Sequence, residues 1–128
     1  MNMIPVGDHL LADLSGIRPS LLCDPERLLP TLRAALRDNH FHILQEVVHR
    51  FEQPGGGFTS VMLLSESHAA LHTYPENEYL AVDIFSCGNA RSQPVLDALV
   101  ELLQPSHVNT TVTPRQLRRA TSEADTII

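Results

Sequence analysis

Leu63-Leu64-Ser65-Glu66-Ser67-His68-Ala69-Ala70-Leu71-His72-Thr73-Tyr74-Pro75-Glu76-Asn77-Glu78-Tyr79-Leu80-Ala81-Val82-Asp83-Ile84-Phe85-Ser86-Cys87-Gly88 reads as two strands joined by a turn. Side chains two apart in a strand share a face. His68, Ala70 and His72 therefore fall on one side of the first strand, and Ala69, Leu71 and Thr73 on the other. In the second, Tyr79, Ala81, Asp83, Phe85 and Cys87 line one face, and Leu80, Val82, Ile84 and Ser86 the other. The turn falls at Pro75-Glu76-Asn77-Glu78. Folded back this way, Cys87 lies opposite the Ser67 end of its partner. Serines, histidines, acids and a cysteine in an otherwise apolar hairpin are more chemistry than a core needs.

Upstream, Phe58 to Ser65 is an apolar strand leading into this hairpin, and Phe41 to Phe51 is another. Between them, Glu52-Gln53-Pro54-Gly55-Gly56-Gly57 is a turn. Its glycines resemble a phosphate loop only superficially, because neither a lysine nor a helix follows. Near the start, His9 to Leu14 reads as a strand with His9 as a structural polar group. Asp24-Pro25-Glu26 supplies an N-cap, a first-turn proline and an early acid. Leu28, Leu29, Leu32, Ala35 and Leu36 then recur at helical spacing. Pro30 interrupts that pattern, so the regular helix is expected only from about Leu28. Downstream, Val95, Leu96, Leu99, Leu102 and Leu103 mark a second helix that Pro105 stops. His107 to Val112 is a last short strand, and residues 115–128 are expected to form a mobile tail whose arginines are solvated. The order strand, helix, four strands, helix, strand predicts an α+β, two-layer α/β sandwich with an antiparallel-rich sheet.

At 128 residues the chain suits one domain, spanning 1–128. Its net charge of −6 leaves no broad basic surface for nucleic acid. Neither an apolar run of membrane-spanning length nor a signal pattern is evident, so a cytoplasmic protein is expected. Cys23 and Cys87 show no metal-like spacing and are expected as free thiols. All nine basic residues are arginine. Without lysine the chain cannot anchor pyridoxal phosphate through a side-chain amine, so carbonyl chemistry would need a carbonyl made from the backbone.

Ser65-Glu66-Ser67-His68, His72-Thr73-Tyr74-Pro75-Glu76 and Val82-Asp83-Ile84-Phe85-Ser86-Cys87-Gly88 resemble, in residue type and spacing, the self-processing region of the compact, prokaryotic, pyruvoyl-dependent S-adenosylmethionine decarboxylases. A weaker likeness covers Gly7-Asp8-His9-Leu10 through Asp13-Leu14. The resemblance implies helices on one sheet face and a homodimer of processed two-chain protomers with active sites near the subunit interface. It implies cleavage between Glu66 and Ser67, with Ser67 becoming a pyruvoyl cofactor. It makes His72, and Thr59 eight residues before Ser67, helpers in processing, and Cys87 the catalytic acid. Glu76 would hold ribose hydroxyls, and Tyr74, where the family often has tryptophan, would stack on adenine. Gln53 stands where the family commonly has an aromatic, and Phe51 is the nearest substitute.

The chemistry agrees with those roles. Imidazole titrates near neutral pH and can shuttle the proton that elimination removes. A thiol with a reference pKa of ~8.5 is a serviceable acid. An ionised carboxylate is acceptor-only and suits a diol. Ornithine or arginine decarboxylation on the same cofactor is the nearest alternative, and a non-catalytic regulatory homologue is another. No metal is expected: in a strand, His68 and His72 lie about 13 Å apart, too far for one ion.

Overall fold

A computed structural model describes residues 2–119. Six strands form one sheet: β1 (Asn2–Ser15), β2 (Ile43–Arg50), β3 (Phe58–Leu64), β4 (Ser67–Tyr74), β5 (Tyr79–Cys87) and β6 (His107–Arg119). Their spatial order is β2-β3-β4-β5-β1-β6, every neighbouring pair antiparallel. The helices are α1 (Pro19–Leu22), α2 (Pro25–Asp38) and α3 (Ser92–Leu103), with a 3₁₀ turn at Pro75–Asn77. None is long and apolar enough to cross a membrane.

The predicted alternation is what divides the sheet into two faces. Phe58, Met62 and Leu64 of β3, Ala69 and Leu71 of β4, Leu80, Val82 and Ile84 of β5, and Leu10, Ala12 and Leu14 of β1 are all buried. They share one core with Leu28, Leu29, Leu32 and Leu36 of α2 and Val95, Leu96, Leu99 and Leu103 of α3. This is the expected two-layer α+β sandwich, with the helices on one face. The opposite face lacks a helical cover, and Leu11, Val47, Val61 and Leu63 stand exposed on it.

Three expectations need correction. The helix does not wait until Leu28: α2 starts at Pro25 and keeps Pro30 inside it. Pro30 is exposed, and the carbonyl it leaves without a donor belongs to Glu26, also on the wet side, so water can satisfy it. Burial of the leucines on the other side then outweighs the lost bond. Phe41 is not strand either. Its N–H donates to Leu36 O at 3.0 Å, closing the helix end, and β2 begins at Ile43. The largest change is at the C-terminus. Residues 115–119 belong to β6, which runs to Arg119 beside a β1 that itself reaches back to Asn2. Every residue of β6 is exposed, so backbone bonding to β1 holds it, and hydropathy gives no sign of that. The rest of the expected tail, residues 120–128, lies outside the described residues.

The glycine turn is structural, as the hairpin reading requires. A Cβ on Gly57 would meet Thr73 Oγ1 at 2.4 Å, and one on Gly56 would meet Phe51 O at 2.5 Å. Buried Thr73 ties this region together: its hydroxyl accepts from Phe58 N–H and donates to Leu22 O, both at 2.8 Å. The β2–β3 turn, β4 and α1 are thereby fixed around the segment that carries Tyr74 and Glu76.

Candidate active site

The predicted site residues gather at two places on the sheet. The first is the two-residue turn between β3 and β4, where Leu64 pairs with Ser67 around Ser65 and Glu66. Glu66 has φ +59°, the left-handed region. A positive φ at the second central residue is what a type II turn demands and normally assigns to glycine. For a residue with a Cβ it costs on the order of 1–2 kcal/mol. The strained unit is therefore the one whose carbonyl precedes Ser67. Ser67 opens β4 almost fully buried, its hydroxyl donating to Ser65 O at 3.3 Å. Cys87, closing β5, donates its thiol to Glu66 O at 3.4 Å. Register brings it there, because His68 pairs with Phe85 two residues before. Cys87 lies opposite the Ser67 end of β4, as the alternation predicts.

Burial, with the Glu66 carboxylate 3.9 Å away, pushes the Cys87 thiol above its ordinary range. The sign follows directly: a raised pKa keeps the proton on sulfur through neutral pH and into mild alkali. In Ser67→Ala protein, iodoacetamide labelling of Cys87 is expected to rise with pH along a curve whose midpoint lies above that of an ordinary thiol. Glu66→Gln should shift that curve to lower pH. Peptide mass mapping reads Cys87 separately from Cys23, and an unmoved curve would remove the carboxylate as a cause.

The second place is at the other end of β4. Thr59 and His72 are cross-strand partners, with Thr59 Oγ1 3.2 Å from His72 Nδ1. Two residues on, Tyr74 stacks at 5.6 Å on Tyr79. Phe51, Gln53, Gly57, Thr73, Tyr74 and Glu76 line a shallow cavity of about 210 Å³. Phe51 and Tyr74 are both more than two-fifths exposed there. Gln53 and Phe51, the two candidates for the missing aromatic position, thus lie in the same wall.

These two places are far apart within one chain. His72 follows Ser67 by five residues of extended strand, about 17 Å. His72 pairs with Ala81, six residues before Cys87, about 20 Å along β5. The structure brings Glu66, Ser67 and Cys87 together, and Thr59, His72, Tyr74, Phe51 and Glu76 together. It does not join the two sets in one protomer. Sequence reasoning also missed a third grouping, His9, His68 and Asp83, whose potential ligand atoms all lie within 4.8 Å of one another. His9 is hydrogen-bonded to Asp83, as a structural polar group should be. His68 and Asp83 share one face of the β4–β5 hairpin, but nothing local announces that β1 lies beside β5.

Comparison with known proteins agrees with the motif reading. The family model described as S-adenosylmethionine decarboxylase matches residues 8–116. An S-adenosylmethionine decarboxylase proenzyme from Hydrogenobaculum sp. (strain Y04AAS1) is 32% identical over 111 residues, 86% of this chain and 81% of that one. S-adenosylmethionine decarboxylase proenzyme 2 of Bacillus cereus (strain ATCC 14579) is 36% identical over 104 residues, 80% of this chain and 83% of that one. An arginine decarboxylase proenzyme from Ignicoccus hospitalis is 34% identical over 102 residues, 78% of this chain and 70% of that one. The crystal structure of the adenosylmethionine decarboxylase from Aquifex aeolicus VF5 superimposes with a TM-score of 0.83 at 26% identity, covering 94% of this chain and 98% of that one. With its motifs, its fold and most of its length matched, the chain belongs to the S-adenosylmethionine decarboxylase family.

Proposed function

We propose that the chain is a self-processing, pyruvoyl-dependent decarboxylase whose substrate is S-adenosylmethionine, the product being decarboxylated S-adenosylmethionine for spermidine synthesis. One observation carries this reading: the Glu66–Ser67 bond sits in a turn strained at Glu66, with Cys87 against the same carbonyl. The proenzyme names of the relatives support it. In processing, Ser67 Oγ attacks the Glu66 carbonyl carbon, the C–N bond breaks and an ester links the two segments. Loss of the Ser67 α-proton expels the Glu66 carboxylate as a new C-terminus and leaves dehydroalanine. Water then releases ammonia and leaves a ketone at position 67. That pyruvoyl group supplies an electron sink for decarboxylation, the role pyridoxal phosphate plays elsewhere. A chain without lysine has no other side-chain route to it. Cys87 holds the proton to be delivered to the substrate α-carbon, and its raised pKa keeps that proton in place until it is needed.

The separation of the two sets makes a second copy part of this proposal. On the uncovered face, rows of paired residues cross the sheet, including Thr59-His72-Ala81-Asp13, Val61-Ala70-Asp83-Leu11 and Leu63-His68-Phe85-His9. Stacking a second sheet there, about 10 Å away, buries Leu11, Val61 and Leu63. A two-fold axis between the sheets, crossing the strands at the Ala70–Asp83 row, reverses the order of rows in the partner. The partner's Thr59–His72 row then faces the His68–Phe85 row beside Ser67, and its Tyr74 end faces Cys87. Each composite site takes Glu66, Ser67 and Cys87 from one copy and Thr59, His72, Phe51, Tyr74 and Glu76 from the other. The small cavity at Glu76 is correspondingly half a pocket: 210 Å³ is below the usual range of about 300–1,000 Å³ for ligand sites. Glu76 accepts from ribose hydroxyls there, and Phe51 and Tyr74 take the adenine ring.

Arginine is the second reading, favoured by the name of the Ignicoccus relative and by Gln53 in the wall that would otherwise hold a ring. Purified protein is analysed by mass spectrometry and supplied with S-adenosylmethionine, ornithine and arginine in separate carbon dioxide release assays. The expected result is two fragments, the second beginning with a ketone at position 67, and turnover of S-adenosylmethionine. Turnover of only a basic amino acid replaces the substrate. An intact, inactive chain makes this a non-catalytic homologue.

A further inference from the structure

We propose that the free edge of β2 is a docking surface for the β2 edge of a second copy of this chain. β2 ends the sheet on one side and β6 on the other, so each has one hydrogen-bonded neighbour. An unpaired edge offers a row of N–H and C=O groups to any approaching strand. β6 carries the usual deterrents, Pro114 within the strand and Arg115, Arg118 and Arg119 along it. β2 contains no proline, and Leu44, Val47 and Val48 stand exposed on it. Residues 120–128 start from Arg119 on the far edge, five strand spacings or about 24 Å away, which leaves a second copy as the better occupant.

The charges select the register. Outward-pointing backbone groups recur at every second residue, so two copies of β2 related by a two-fold axis centre on a residue and not between two. Centred on Glu46, the strands set two carboxylates against each other. Centred on Val47 they set Glu46 against Val48, and on His49 they set Arg50 against Val48, which leaves each charge unmatched. Centred on Val48 they set Val48 against Val48, Val47 against His49, and Glu46 against Arg50 twice. Glu46, Val48 and Arg50 share the helix side of the sheet, opposite Met62, Ser60 and Phe58. There Arg50 already pairs with Glu26 of α2, and Arg33 of α2 donates to Glu46 from Nε at 2.7 Å. The Val48 register joins these pairs into two ladders of alternating sign, running Glu26, Arg50, the partner's Glu46 and the partner's Arg33. An open cleft of about 480 Å³ between α2 and β2, lined by Glu26, Leu29, Arg33, Val48 and Arg50, gives the added side chains room. The face-to-face pairing proposed above leaves this edge uncovered, since it sets β2 of one copy over β2 of the other. The edge contact does not rest on the decarboxylase reading.

Cross-linking and charge reversal test it on the purified protein. Under mild oxidation, Val48→Cys chains should join to each other through residue 48, because directly opposed Cβ atoms lie about 4.5–5.5 Å apart. Leu44→Cys, on the same strand but off the axis, should not, and peptide mapping separates the new disulfide from any at Cys23 or Cys87. Arg50→Glu alone and Glu46→Arg alone each oppose like charges twice, and each should weaken edge association about tenfold. Mixed together, the two variants set Glu against Arg at both places. The mixture should therefore form larger species in sedimentation velocity than either variant by itself, up to the size reached by wild type. Circular dichroism of the single variants separates lost association from misfolding. Val48→Cys chains that link no faster than Leu44→Cys chains, single variants that assemble as far as wild type, or a mixture no larger than its components overturn the proposal.

Discussion

Co-expressing a Ser67→Ala chain with a His72→Ala chain is expected to restore cleavage to the His72→Ala chain, although neither variant is cleaved when made alone. The expectation follows from the roughly 17 Å of extended strand between these residues, which no side-chain motion spans. In a mixed pair, Ser67 and Cys87 of the His72→Ala chain meet the intact His72 of the Ser67→Ala chain. The opposite site in the same pair has lost both residues. Random pairing leaves about a quarter of the composite sites intact, and carbon dioxide release should recover to about that fraction. A denaturing gel with distinguishable tags shows which chain is cut. Cleavage of His72→Ala protein by itself at the normal rate would remove His72 from processing. An uncut His72→Ala chain in purified mixed pairs would mean that the halves are not shared between copies.

That split marks the boundary of what could be read without coordinates. Parity along β4 and β5 was visible from Ser67 to Cys87 because one face packs on helices, which forces apolar residues into every second position. The Cys87–Glu66 contact followed from that parity and a tight turn. Motif spacing, by contrast, lists residues in one line and is silent on distance in an extended chain. Ser67, His72, Tyr74 and Glu76 look adjacent in sequence because a short peptide carries them all, yet a strand sets them in a row instead of a cluster. The same blindness hid His9 beside Asp83, since a pairing between residues 74 positions apart is decided by where β1 inserts, between β5 and β6. Strand β6 was legible only to Val112 because it buries nothing. Pro30 shows the opposite error, a local rule overruled by the packing of Leu28, Leu29, Leu32 and Leu36.

Replacing Ser67 with alanine should leave a single chain of 14.2 kDa however long it is incubated, and should abolish decarboxylation. The loss is expected to be on the order of 10⁶-fold or more, the usual distance between an enzyme and the uncatalysed reaction, because the cofactor never forms. The informative comparison is Ser65→Ala, which removes a similar hydroxyl from the same turn. Ser65 follows Leu64, a buried residue within β3, and its N–H donates to His42 O at 2.9 Å. Only Glu66 in this turn has the left-handed conformation, and only its carbonyl meets Cys87. A scissile bond chosen by backbone strain must therefore be the one before Ser67, and Ser65→Ala protein should be cut at the wild-type position. Glu66→Gly sharpens the point: glycine relieves about 1 kcal/mol of strain at positive φ, so the uncut chain should become more stable and cleavage slower. Ser67→Ala protein that is still cleaved, or Ser65→Ala protein that is not, would put the nucleophile at the other serine and leave the strain at Glu66 without a role.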